Sequence, residues 1–107
     1  MALYLKNKKK IETIFEKGFT IKAYGLLFKG YDFKDDEIKY GVSVSKKLFP
    51  LAVDRNLIKR RVKEQAKNLK LAGFVSKGVS FFLIYTSKQV LHSNEIKRSI
   101  EGLSQKL

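Results

Sequence analysis

A chain of 107 residues, 44% apolar and without cysteine, is long enough for one modest hydrophobic core and has no disulfide framework or cysteine zinc site. Twenty-three Lys and Arg against ten Asp and Glu leave +13, more than solubility asks of so small a domain, and self-repulsion of that size points to an acidic polymer as counterpart. No apolar run approaches the ~20 residues of a membrane span and the first residues lack a signal-peptide core, so the expected class is a single cytoplasmic polyanion-binding domain over residues 1–107.

Ile11, Ile14 and Phe15 recur at helical spacing and predict a short first helix, with Asn7 or a neighbour as cap and Gly18 as stop. "YGLLFKGY", Tyr24 to Tyr31, reads as a strand weakened by Gly25 and Gly30. "DFKDDE", residues 32–37, is a polar connection that gathers four acidic side chains away from the rest of the surface. From Ile38 to Lys46 the chain alternates. Ile38, Tyr40, Val42 and Val44 point one way, while Lys39, Gly41, Ser43 and Ser45 give a small, polar face open to solvent or to a ligand. "VSFFLIYT", Val79 to Thr86, is apolar on both faces, as a central strand covered on two sides requires. Ile96, Ile100, Leu103 and Leu107 predict a last helix capped by Ser93 or Asn94. The order predicts an α+β sandwich of sheet and helices.

Between the two clear strands lies a long basic segment. Winding residues 51–72 at about 100° each, with Arg55 at zero, puts Leu51, Ile58, Val62, Ala66 and Leu69 between roughly 300° and 20°, a core-facing band. Lys59, Lys70, Lys63, Lys67, Arg60 and Asn56 fall between roughly 40° and 140°, on one flank of that band. A Lys-rich helix face usually just keeps a protein soluble. Here Glu64 is the only acidic residue between Arg55 and Ala72, so the helix forgoes the i,i+4 pairs that a solvating face would use, and a gripping surface is the better reading. Arg55 lies within the apolar band near the helix start, so it is expected to be partly buried and oriented by neighbours, with Asn56 beside it. Gly73 offers the helix stop.

"GVSVSKKLFPLAVDRNLIKRRVKE", Gly41 to Glu64, resembles the signature of the bacterial ribonuclease P protein subunit: a strand ending in Ser-Lys-Lys, a short turn, then Ala-Val-x-Arg-Asn-x-Ile-Lys-Arg opening a basic helix. The resemblance implies a two-layer sandwich with a central mixed sheet of about four strands, three helices and a left-handed βαβ crossover. It also implies membership of a ribonucleoprotein whose RNA subunit, with Mg2+, removes the 5′ leader of precursor tRNA. The protein is then a non-catalytic subunit that binds no cofactor alone and needs no obligate protein partner. Arg55, Asn56, Lys59, Arg60, Lys63, Lys67, Lys46 and Lys47 would meet the catalytic RNA. The leader would run in a cleft between the basic helix and the sheet, lined by Phe15, Ser45 and Lys46; aromatic faces stack unpaired bases while lysines track phosphates. Phe15 has a rival role as a core residue, and Phe19 is a weaker candidate for the same contact.

Two departures stand out. Leu57 occupies a position that is basic in the family, and on the winding above it lies near 200°, so it is expected to be exposed or pressed on RNA. "LFPL" replaces a Gly-containing basic turn and puts Pro50 and Leu51 where a lysine is common. Side chains for protein-borne catalysis are sparse: His92 is the lone histidine, and Asp35, Asp36 and Glu37 sit in a short loop. The alternatives are a ribosomal or other structural RNA-binding protein without a role in tRNA processing and, last, a membrane-surface protein.

Overall fold

The computed structural model describes residues 2–5 and 7–107. Asn7 opens α1 (Lys8–Lys17) as expected, its Oδ1 accepting from the backbone N–H groups of Lys9 (3.0 Å) and Lys10 (3.2 Å). Gly18 ends the helix through space rather than through a left-handed backbone. Its N–H bonds to the Ile14 carbonyl, and a Cβ there would lie 2.3 Å from that oxygen and 2.8 Å from the carbonyl of Gly30.

The sheet has the order β1-β4-β5-β3-β2. β5 (Val79–Tyr85) is the central strand, and β4 (Ile38–Ser43) runs parallel beside it with Tyr40 opposite Phe81 and Val42 opposite Leu83. β3 (Leu26–Asp32) is antiparallel to β5, and β2 (Phe19–Ala23) is antiparallel to β3. These four strands form the expected mixed sheet, and a three-residue β1 (Ala2–Tyr4) extends it along the free edge of β4. The strand read at Tyr24–Tyr31 starts two residues late, because Tyr24 and Gly25 make the hairpin turn and Gly25 takes φ +73°.

Between β4 and β5 the chain crosses over through α2 (Ala52–Asn68), and it closes with α3 (Ser93–Lys106). Ile58, Val62 and Ala66 of α2 and Ile96, Ile100 and Leu103 of α3 are buried against Leu26, Phe28, Val42, Phe81, Leu83 and Tyr85. The alternate residues of β5, Phe82 and Ile84, face the other way and meet Ile11 and Ile14 of α1. So α2 and α3 form one layer of the sandwich with the sheet, and α1 lies on the opposite face. Two arms lock the loop that leads into α3. The Tyr85 hydroxyl accepts from Leu91 N–H and donates to the Gln89 carbonyl, and Arg61 Nη1 donates to the Leu91 carbonyl at 2.8 Å.

Several local expectations are corrected. Leu51 is 65% exposed instead of joining the core band, because it precedes the first turn as the N-cap and helical winding does not reach it. Leu57 lies off the buried stripe but is half-buried rather than open. The long helix stops before Gly73: Leu69 is its C-cap, Lys70 takes the left-handed conformation at φ 52°, and a 3-10 turn follows over Leu71–Phe74. In α3 the N-cap position falls on His92, which makes no side-chain capping bond, so Ser93 and Asn94 lie inside the first turn.

Candidate nucleic-acid interface

The turn between β4 and α2 is built by Ser45. Its Oγ accepts from Lys47 N–H (3.1 Å) and Leu48 N–H (3.4 Å), and its carbonyl accepts from Phe49 N–H. Phe49 is buried, with its ring edge-on to Tyr85 at 5.7 Å, and so anchors the turn in the core. Lys46 and Lys47 are left exposed at its tip. Ser45 thus shapes the turn that presents the lysines; its hydroxyl oxygen is occupied by backbone donors.

Arg55 completes this corner. Nη1 donates to the carbonyls of Phe49 and Pro50, both at 2.8 Å, tying the first turn of α2 to the preceding loop. The residue is half-buried and oriented by its neighbours, as its position in the apolar band required. Along the same helix, Asn56, Lys59, Arg60, Lys63 and Lys67 line one open groove together with Tyr40 and Glu64. The flank inferred from angles is one surface except for Lys70, which lies beyond the helix end, and Glu64, expected off the flank, is the one carboxylate among its cations. Acidic charge is tied up elsewhere: Asp35 bonds Lys10 at 2.6 Å, Glu37 bonds Lys39 at 3.0 Å, and Asp36 lies 3.8 Å from Lys77. The Lys10 ammonium holds the Asp35 carboxyl below its ordinary 3.8, helped by the backbone N–H of Glu37. Tyr40, at the floor of the α2 groove, has its phenol raised above 10.0 by burial, so the ring is neutral at physiological pH.

Phe15 lies elsewhere. Ile14 is the fully buried residue of α1, while Phe15 is 41% exposed and rests on Phe82, with ring centroids 5.4 Å apart. Phe82 in turn lies across Gly41, where a Cβ would be 2.6 Å from Cε1 of its ring. The small face of β4 therefore exists to seat Phe82, and Phe82 backs an accessible aromatic ring. Because α1 and α2 occupy opposite faces of the sheet, Phe15 and the basic helix do not share the expected cleft among the described residues. There are two surfaces, and the turn carrying Lys46 and Lys47 is the segment that leads from the strand beneath the Phe15 face into the basic helix. Phe19 belongs to neither. It stacks on Phe28 at 5.8 Å and shares a groove with Phe74 and Leu107 on the α3 side, which removes it as a companion of Phe15. Phe82 and Tyr40 were not singled out from sequence, because it is the register of β4 on β5 that sets Gly41 beside Phe82 and Tyr40 beside Phe81.

The architecture is shared with solved proteins. The structure of Staphylococcus aureus RNase P protein superposes with a TM-score of 0.81 at 26% identity, covering 99% of this chain and 95% of that one. The RNase P protein from Thermotoga maritima gives 0.80 at 20% identity, with 97% and 96% covered, a likeness of fold. A further Staphylococcus aureus structure, a mutant described as defective in mRNA degradation activity, gives 0.79 at 25% identity, with 96% and 86% covered. No curated protein sequence matches at a significant level. The model of the family described as Ribonuclease P matches residues 2–107, essentially the whole chain, and the motif from Gly41 to Glu64 lies within it. That match sets aside a ribosomal or membrane-surface assignment, and the chain belongs to the ribonuclease P protein family.

Proposed function

We propose that this ribonuclease P subunit divides its work between the two faces of its sheet. The α2 flank, Asn56, Lys59, Arg60, Lys63 and Lys67, with Arg55 and the Lys46–Lys47 turn, grips the catalytic RNA. The Phe15 ring, backed by Phe82, takes a base of the unpaired 5′ leader of precursor tRNA, and Lys46 follows its phosphates. The observation that carries the reading is the grouping of Lys59, Arg60, Lys63 and Lys67 in one groove with a single carboxylate, on a chain matched to the family from residue 2 to 107.

The physical roles differ by residue. Lysines act as mobile point charges on phosphates, and the counterions they release make binding strongly salt-dependent. Arg55 spends Nη1 on two carbonyls, which orients the planar fork and leaves Nε and Nη2 as donors for an external phosphate. An aromatic ring suits a leader of varied sequence, because every base has a stackable face. Hydrolysis belongs to the RNA subunit with Mg2+, in the cytoplasm, and the protein contributes affinity and positioning.

The test is a paired affinity measurement on the assembled ribonucleoprotein, using precursor tRNA with its leader and mature tRNA without it. Precursor is expected to bind more tightly, and Phe15→Ala to reduce that preference while leaving catalytic-RNA affinity unchanged. Equal affinity for the two tRNAs would remove the leader-binding role.

A further inference from the structure

A second groove continues from the basic flank and is not needed by the division of labour above. It lies between the last turn of α2, the 3-10 turn and the start of β4, and encloses about 680 Å3. That is within the size range of small-ligand pockets. Ile38, Tyr40, Phe81 and Leu71 form its apolar floor, and Lys67 and Lys70 stand at its rim. Tyr40 and Lys67 also line the α2 groove, so the two surfaces are continuous.

Tyr40 is the distinctive element. Its ring lies nearly parallel to that of Phe81, 11° between planes and 5.2 Å between centroids, and Phe81 is fully buried. One side of the ring is thus held by the core, and what remains accessible lines both grooves. A neutral aromatic plane that is already immobilised costs little entropy when it receives another flat ring. An ammonium pair beside it supplies the charge for the phosphate that accompanies such a ring in a nucleic acid. An apolar peptide would use the floor and ignore the lysines.

We infer that this groove is a binding site for a single unpaired nucleotide of RNA, its base stacked on Tyr40 and its phosphate held by Lys67 and Lys70. The site rests on the reading of α2 as an RNA-binding face, and it is separate from the Phe15 surface on the other side of the sheet.

The experiment titrates the full chain with 5′-AMP, adenosine and inorganic phosphate separately, following the methyl signals of Ile38, Ala66 and Leu71 by NMR. AMP is expected to shift these methyls saturably and to bind about tenfold more tightly than either half, as base stacking at ~1–3 kcal/mol implies. Tyr40→Phe keeps the response, Tyr40→Ala loses roughly tenfold in affinity, and Lys67→Ala with Lys70→Ala removes the advantage over adenosine. Because the chain lacks tryptophan, Tyr40→Trp supplies a sole tryptophan that can be excited apart from the remaining tyrosines and that AMP quenches, which decides the matter if Tyr40→Ala fails to fold. Equal affinity for AMP and phosphate, silent groove methyls, or a Tyr40→Phe variant as weak as Tyr40→Ala would overturn the site. The titration uses no catalytic RNA, so a reconstituted ribonucleoprotein that processes precursor tRNA beside a silent groove would overturn the groove alone.

Discussion

Gly41→Ala is the substitution that most directly probes how the sheet supports Phe15. The added Cβ would stand 2.6 Å from Cε1 of Phe82, 3.1 Å from Cζ and 3.2 Å from Cδ1, whereas ordinary contact begins at 3.4 Å. The ring must therefore retreat by 0.8 Å at its nearest atom, the difference between 3.4 and 2.6 Å. It has little room, since Phe82 is 9% exposed and Phe15 lies against it at 5.4 Å. Overpacking of this kind costs about 1–3 kcal/mol. Replacing glycine in a strand returns roughly 0.5–1 kcal/mol of chain entropy, so a net loss of about 1 kcal/mol is expected. With a urea slope of about 1–3 kcal/mol/M, the unfolding midpoint falls by roughly 0.3–1 M. The same displacement moves Phe15, so preference for leader-bearing tRNA drops, while affinity for the catalytic RNA, held from the opposite face, does not. Phe82→Leu in the same chain relieves the clash and restores part of the stability as a coupling between touching residues. A Gly41→Ala protein with unchanged midpoint and unchanged Phe15 ring resonances would show that Phe82 does not need the bare backbone of Gly41 for its seat.

Other perturbations address separate parts of the molecule. Arg55→Ala removes two charge-assisted bonds to the Phe49 and Pro50 carbonyls and is expected to cost about 1–3 kcal/mol in urea unfolding, with Arg55→Lys recovering only part of it. Tyr85→Phe leaves the Leu91 N–H without its acceptor, a loss of about 1–3 kcal/mol, and speeds amide exchange at Leu91. Lys70→Gly relieves a left-handed backbone at φ 52° and raises stability by roughly 1 kcal/mol while weakening nucleotide binding in the adjoining groove. Asp35 gives a pH test. Its carboxyl is depressed below 3.8 by Lys10, so the contribution of this pair is intact above that value and is lost as pH falls through the lowered one. Hydrogen exchange in α1 is expected to rise in that acid range, and Asp35→Asn to abolish the dependence.

Local sequence patterns report much of the fold. The alternation of Ile38 to Val44 and the Ile58–Val62–Ala66 stripe report burial through periodicity, and the mostly apolar β5 reports cover on both faces through its lack of alternation. Periodicity carries no information about which face of the sheet a helix packs on. It could not check the cleft that the family resemblance implied between the basic helix and the sheet, lined by Phe15, Ser45 and Lys46, whereas α1 and α2 lie on opposite faces. β2 was missed because five residues with a weak exposure alternation follow directly on a helix end, and its pairing is fixed by β3 across the Tyr24–Gly25 turn. Leu51 misled the winding because an N-cap lies outside the helix it opens. Gly73 misled because a lysine, not a glycine, takes the left-handed position after α2. The grouping of the α2 cations on one surface was legible, since charge and angle are both properties of the sequence. Tyr40 and Phe82 were not, because their significance lies in partners brought in by the sheet register.

Assembly with a catalytic RNA is the central expectation for this chain. Reconstituting the full chain with a bacterial ribonuclease P RNA and measuring precursor-tRNA cleavage across magnesium concentrations tests it most directly. Cleavage at low magnesium is expected to rise when the protein is added, and to fall back as salt displaces the α2 flank from phosphate. No enhancement at any magnesium concentration would contradict it.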